Sequence, residues 1–507
     1  MQTPVPFRMW RRAIAGPHVR ILLALALTCV VDAAAASASP LSDDLSARRA
    51  RLMERLGPDA LLIVTSAPPR PYSLDIDYEY RQDSNLYYLT GLTQADTMLV
   101  LMPGNATRRE VLFIKDRDLS QEHWRGRLLS REQATERTGI ATVLPTSQFE
   151  PFLAAMLTRS AFSPIDEKEA AHFFEALGEA RARVAAPIDG GGVKDPLTPT
   201  QQLLARLRER YAGFQTIDAA PLFTDLRLVK TAYELEVLRK AAAISADAQL
   251  AGMRAARPGA FEYEVKAAIE AVHRGRGAVS WAYPSIVGSG PNATILHYPE
   301  ADRQMQAGDL LLVDAACNYG YMSPDITRTY PVSGTFSAAQ KDIYRIVLQA
   351  QDEAFAEARV GGSLAAIHNR AVAVIKAGLL KLGLITDTTG EQYRMWFTHG
   401  TSHYIGIDVH DVGERTRPLQ AGMTFTIEPG IYVRQSVIDA LPRTPENLAL
   451  IEKIQPAVRK YADLGVRIED SILLLDSGAV RLTGSVPRTI EEIEAFLRKR
   501  PAAATAR

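Results

Sequence analysis

The second half of the chain carries one order of features twice. Ala256-Arg257-Pro258-Gly259 closes one long helical pattern and opens another, and 102 residues later Ala358-Arg359-Val360-Gly361 does the same. Further on, Ala307-Gly308 leads through the apolar run Leu310 to Val313 into Asp314, and 114 residues later Ala421-Gly422 leads through Phe425, Thr426 and Ile427 into Glu428. A histidine precedes each turn, His297 by ten residues and His410 by eleven. A helix pair, a histidine, a turn and a strand-ending acid recurring in order describe a duplicated module. Two α/β halves related by a pseudo-twofold would join their strands in one curved sheet, with Asp314 and Glu428 facing each other across the axis. That is a metal-site geometry.

At 507 residues the chain is too long for one core. From 41 to 225 short apolar runs (Ala60 to Val64, Met98 to Met102, Val111 to Ile114) alternate with helix-like stretches, which predicts an α/β domain. Thr231-Ala232-Tyr233-Glu234 then forms a capping box ahead of an Ala/Leu-rich helix running to about Ala256. The expected organisation is α/β (α+β), with an amino-terminal domain at 41–225 and a carboxy-terminal domain carrying the repeat at 226–500.

Residues 1–38 read differently. Arg8, Arg11, Arg12 and Arg20 precede the apolar run Ile21 to Val31, and Ala36-Ser37-Ala38 fits a cleavage site. That order predicts a secretory signal peptide and an exported, periplasmic or secreted, protein. The run is too short to span a bilayer, so no stable membrane insertion is expected once it is removed. With 58 basic against 58 acidic residues the chain lacks the basic excess of a nucleic-acid binder. It has two cysteines, and only Cys317 survives removal of the leader, so its chemistry must come from histidines, carboxylates and hydroxyls.

Asp314 ends the run Leu310 to Val313, and Asp325 stands 11 residues later beyond Tyr319-Gly320-Tyr321, a spacing that predicts a β-hairpin returning the second acid beside the first. Either aspartate alone reads more readily as a turn or strand-end residue bonding backbone N–H groups. An acid closing so apolar a run is harder to assign to a turn, because an unpaired buried carboxylate is costly. His399, His403 and His410 fall within 12 residues, but Gly400 stands where a zincin of the HExxH type needs glutamate. Glu428-Pro429-Gly430 ends a strand, and in Gly465-Val466-Arg467-Ile468-Glu469-Asp470 alternation puts Arg467 and Glu469 on one face. These two residues could form a surface ion pair; set against the repeat, Glu469 is the counterpart of Asp325. The candidate metal cluster is therefore Asp314, Asp325, His403, Glu428 and Glu469. Four carboxylates and a neutral imidazole balance two divalent cations, and the oxygen-rich set suits Mn²⁺ or Co²⁺ better than structural zinc.

Asp314…Asp325, His399-Gly-Thr-Ser-His403 with Val409-His410-Asp411-Val412-Gly413, Glu428-Pro-Gly and Gly465-Val-Arg467-Ile-Glu469-Asp together resemble the pita-bread metallopeptidases. Within them, Tyr80-Arg81-Gln82-Asp83-Ser84-Asn85-Leu86-Tyr87-Tyr88-Leu89-Thr90-Gly91 and Glu122-His-Trp124-Arg-Gly126-Arg127 are similar to the first domain of the aminopeptidase P subfamily. The resemblance implies two divalent metals, most readily Mn²⁺, with Co²⁺ or Zn²⁺ as alternatives. It puts Asp314 on one metal, Asp325 and Glu469 between the two, and His403 and Glu428 on the other, with Glu428 also a proton acceptor. His297, His399, His410 and Arg467 match positions that bind substrate, stabilise the tetrahedral intermediate or shuttle protons. Peptides with proline second are the implied substrates, and a homo-oligomer, dimer or tetramer, is the implied assembly. Two departures stand out: Tyr87 replaces a tryptophan of some relatives near residues that reach a neighbouring subunit's site, and Gln435 to Asp463 reads as an insertion over the site. A prolidase confined to Xaa-Pro dipeptides would use the same ligands, and a non-catalytic binder on this fold would have lost some of them.

Overall fold

The computed structural model describes residues 39–188 and 190–500. The expected signal peptide, residues 1–38, lies outside the described residues.

The amino-terminal domain is a six-stranded sheet with helices on both faces. Its strands lie in the order Thr142–Pro145, Glu110–Ile114, Met98–Leu101, Ala60–Thr65, Ala182–Ala186, Phe214–Asp218. The pairs 60–65 with 98–101 and 98–101 with 110–114 are antiparallel, and the other three are parallel. Alternation explains why Ala60 to Val64 is apolar throughout: Ala60, Leu62 and Val64 enter one core with Leu52, Leu86 and Leu89, while Leu61 and Ile63 enter the opposite core with Phe113, Phe152 and Phe173. The first of these cores also takes in Leu238, Tyr321, Met322 and Ile407, which seats this sheet on the carboxy-terminal domain.

Thr231 caps the helix Ala232–Ala255, and Glu234 completes the capping box. From there the duplication is visible as helix pair, then strands, twice. Ala232–Ala255 and Glu262–Gly275 precede the antiparallel strands Ile286–Ser289, Leu310–Asp314 and Thr327–Pro331. Ala338–Ala356 and Leu364–Leu382 precede Thr424–Ile427, Gly430–Val433, Leu464–Arg467 and Asp470–Leu475. One continuous apolar core runs through both halves, from Leu228 to Leu497. The halves meet along a seam where the Glu469 N–H donates to the Thr327 carbonyl at 3.1 Å and the Thr329 hydroxyl donates to the Arg467 carbonyl at 2.9 Å. None of the described helices is long and apolar enough to cross a membrane.

One local expectation holds and one changes. The chain between Asp314 and Asp325 does turn as a hairpin: Tyr319 and Met322 exchange N–H to carbonyl bonds at 3.1 and 3.0 Å across Gly320-Tyr321, in register with Asp314 opposite Thr327, and Cys317–Asn318 also pairs outward with Ser280–Trp281. Most of the segment from Gln435 to Asp463 is the helix Pro445–Tyr461, which buries Ile454, Val458 and Tyr461 and bonds Asp342 of the helix Ala338–Ala356. That neighbour packs behind the strands, on the face Asp470 presents, so this helix thickens the outer layer and does not roof the site.

Candidate metal centre

Three features of the backbone aim the acids inward. Asp314 closes a central strand paired on both sides, with Ile286 and Thr327 as its partners. Glu428 occupies the break between Thr424–Ile427 and Gly430–Val433, where its N–H donates to the Thr401 carbonyl at 2.8 Å. Glu469 sits in the matching break between Leu464–Arg467 and Asp470–Leu475. The segment carrying the histidines runs beside Thr424–Ile427: the Thr426 N–H donates to the His403 carbonyl at 2.9 Å, and the His403 N–H donates to the Thr426 hydroxyl at 3.1 Å.

Asp325, His403 and Glu469 each bring a ligand atom within 4.8 Å of the others. His403 Nε2 lies 3.5 Å from both Asp325 Oδ2 and Glu428 Oε1. Its Nδ1 donates to the Tyr404 carbonyl at 3.1 Å, which fixes the ring with Nε2 toward the acids. Asp314 joins the group through Tyr283, whose hydroxyl reaches both Asp314 and Asp325. Arg467 Nη2 donates to Asp314 at 2.6 Å, Nε to the Thr327 hydroxyl at 3.1 Å and Nη1 to the Tyr432 hydroxyl at 2.9 Å. Tyr432 in turn lies 2.8 Å from His399 Nε2, and His399 Nδ1 is 3.5 Å from Glu428 Oε2. His410 meets the His403 ring edge to face at 4.4 Å. His297 stands on the exposed rim. Arg467 and Glu469 are thus buried, and the arginine pairs with Asp314, so they are not a surface ion pair.

The charges do not balance within the protein. Burial pushes Asp314 up to about 6, against the pull of Arg467. Burial likewise lifts Glu428 to about 7, against His403 and Arg467. Glu469 is raised well above the carboxylate range by burial and by Asp325, Glu428 and Asp314. At Asp325 burial also acts upward, but the hydrogen bond and charge of His403 outweigh it and hold the acid low. Conversely, burial disfavours the His403 cation, yet Asp325 and Glu428 lift it to about 9. His399 is driven down to about 3 by burial and by Arg467, so it stays neutral. Four buried acids face two cations, Arg467 and the protonated His403, and the single phenol proton of Tyr283 cannot be donated to two carboxylates at once. The donor set fits divalent cations, whose charge would supply what Arg467 and His403 do not.

Tyr283, Thr327 and Tyr432 were not legible as site residues. Tyr432 had a usable signal: a phenol inside the wholly buried strand Gly430–Val433 must find a partner for its hydroxyl. Tyr283 and Thr327 had none, since their partners lie 31 to 142 residues away.

Two repeated halves, each with its own antiparallel strands and not one shared sheet, with acids and a histidine converging at their seam, define a pita-bread metallopeptidase. Residues 236–476 match metallopeptidase family M24, and residues 45–163 match the aminopeptidase P, N-terminal domain. The Xaa-Pro aminopeptidase of Escherichia coli strain K12 is 35% identical over 89% of this chain and 96% of its own length. Xaa-Pro aminopeptidase 3 of Homo sapiens is 30% identical over 86% of this chain and 81% of its own. Among solved structures, zinc-substituted E. coli aminopeptidase P in complex with product superposes with a TM-score of 0.75 at 33% identity, covering 91% of this chain and 99% of that one. This chain belongs to the Xaa-Pro aminopeptidase (aminopeptidase P) family of M24 metallopeptidases.

Proposed function

We propose that the chain is an exported dinuclear-metal aminopeptidase that releases the amino-terminal residue from peptides with proline in second position. The observation that carries the metal assignment is the convergence of Asp314, Asp325, Glu428 and Glu469 on one buried place with His403 turned toward them. Those five residues would hold two divalent ions, Mn²⁺ foremost and Co²⁺ or Zn²⁺ as alternatives. When bound, such ions supply Lewis acidity toward the scissile carbonyl and acidify water.

The chain's own residues supply the rest. Glu428 accepts the proton of the attacking water and returns it to the departing prolyl nitrogen. Neutral His399 gives its one N–H, on Nδ1, to the Gly400 carbonyl at 2.8 Å and accepts from the Tyr432 hydroxyl on Nε2, so it holds Tyr432 and through it Arg467, while His297 and His410 receive the peptide at the rim. Arg467 holds Asp314 in place. Proline has no amide N–H and a fixed φ, so peptidases that need a donor there fail on it.

The division into 41–225 and 226–500, export after removal of residues 1–38 and a homo-oligomeric assembly belong to the same reading. The amino-terminal domain match favours an aminopeptidase over a dipeptidase. Rates on Xaa-Pro-Yaa tripeptides against Xaa-Pro dipeptides test it, and turnover of dipeptides alone would overturn it. Amino-terminal sequencing of the mature protein should find a start near Ser39, and light scattering should find a dimer or tetramer.

A further inference from the structure

Behind the metal centre lie two glutamines related by the repeat. Gln249 is on the helix Ala232–Ala255 and Gln351 on the helix Ala338–Ala356, 102 residues apart, the same offset that separates the turns at Ala256 and Ala358. Both are fully buried. Gln249 Nε2 faces the carbonyls of Val313, Ala315 and Ile326 at 3.4, 3.3 and 3.2 Å. Gln351 Nε2 faces the carbonyls of Ile427 and Ile468 and Asp470 Oδ2, each at 3.2 Å. With acceptors alone on that side, the amide must turn its NH₂ to them. Arg488 Nη1 donates to Gln351 Oε1 at 3.1 Å and fixes that orientation.

The carbonyls they reach are those beside the acids. Val313 and Ala315 flank Asp314, and Ile326 follows Asp325. Ile427 precedes Glu428, and Ile468 precedes Glu469. Ala315, Ile326 and Ile468 lie just beyond strand ends, where the backbone bonds are long: the Ala315 N–H donates to the Ile326 carbonyl at 3.3 Å and the Ile468 N–H to the Pro429 carbonyl at 3.4 Å. Each amide therefore ties together two bends that each carry one acid.

We propose that Gln249 and Gln351 are paired positioning residues, Gln249 setting the separation of Asp314 from Asp325 and Gln351 that of Glu428 from Glu469, so that each half of the repeat tunes the affinity of the metal centre from behind. This rests on the reading of those acids as metal ligands. Groups that orient ligands from one layer away change metal affinity by about 10–100-fold when removed.

The test uses the full-length protein stripped of metal and titrated with Mn²⁺ against a competing chromophoric chelator. Wild type should take up two ions. Gln249→Met and Gln351→Met, which keep volume and lose the donors, should each bind Mn²⁺ at least about tenfold more weakly. Excess Mn²⁺ should restore their kcat. Ser245→Ala is the control: its hydroxyl accepts from the Cys317 N–H at 3.0 Å on the same buried helix face but flanks no acid, so it should lower the metal-free Tm and leave Mn²⁺ affinity unchanged. If a methionine variant does not fold, Gln→Asn, which withdraws the amide by one methylene, carries the same expectation. Wild-type affinity in folded glutamine variants, or an equal loss in Ser245→Ala, overturns the proposal. Uptake of a single ion by wild type would sink the dinuclear reading instead, and the glutamines would then be judged on that ion.

Discussion

Arg467 and Asp314 come from opposite halves of the repeat and meet as a buried pair, Nη2 to Oδ2 at 2.6 Å. The same guanidinium also holds Thr327 and Tyr432, so one side chain spans the seam. Arg467→Lys keeps the charge but lacks the planar fork that makes three directed contacts. Misplacing Asp314 by about 1 Å should lower kcat roughly 100-fold. Steady-state kinetics at saturating Mn²⁺ would check this, and a lysine variant with wild-type kcat would refute the positioning role.

Chelation should abolish peptide hydrolysis, and Mn²⁺ should restore it. Metal content measured by mass spectrometry alongside the assay makes the outcome decisive, since full activity in verified metal-free protein contradicts the mechanism.

Asp411 lies next to His410 and takes two buried cations, Arg227 at 2.5 Å and Lys230 at 3.1 Å. All three side chains are nearly inaccessible to solvent. Asp411→Ala would leave buried Lys230 without a carboxylate and Arg227 with Asp408 alone, a loss of about 3–5 kcal/mol. Arg81→Ala breaks a half-exposed pair with Asp408 and a bond to the Ile407 carbonyl and should cost less, about 1 kcal/mol. Urea unfolding of the two variants measures the contrast, and equal midpoints would refute it.

His273 is buried, neither ring nitrogen has a hydrogen-bond partner among the described residues, and burial drives it down to about 4. Its folded value lies below the unfolded value of about 6.5, so its contribution is fully present above that pH and is lost as pH falls toward 4. The loss reaches about 3 kcal/mol at 1.36 kcal/mol per unit. His273→Leu should flatten this acid limb, seen as a smaller drop in denaturation midpoint between pH 7.5 and pH 5. An unchanged slope would show that the histidine does not carry it.

How much of this was readable beforehand differs by residue. Asp314 was conspicuous because it ends an apolar run, and Glu428 because it fills the same place in the second copy. The helix start at Thr231 was readable because a capping box is local. Tyr283, Thr327 and the two glutamines were not, because a tyrosine, threonine or glutamine in a buried stretch has no distinguishing pattern until its partner is beside it. The hairpin at Gly320-Tyr321 was readable, but the outward pairing of Cys317–Asn318 was not, because its partner Ser280–Trp281 is two residues long and has no alternation to read.

From the sequence alone came the duplicated order of helices and strands, the acids that close the strands and the family those motifs resemble. These are local or periodic properties, carried by spacing and by the cost of burying charge. Tertiary structure alone decided which atoms meet: Glu469 on Thr327, Arg467 on Asp314, His399 on Tyr432, and each glutamine behind its pair of acids. Such contacts join residues 33 to 153 positions apart. Their geometry follows from how two packed halves share one core, which no stretch of sequence encodes by itself.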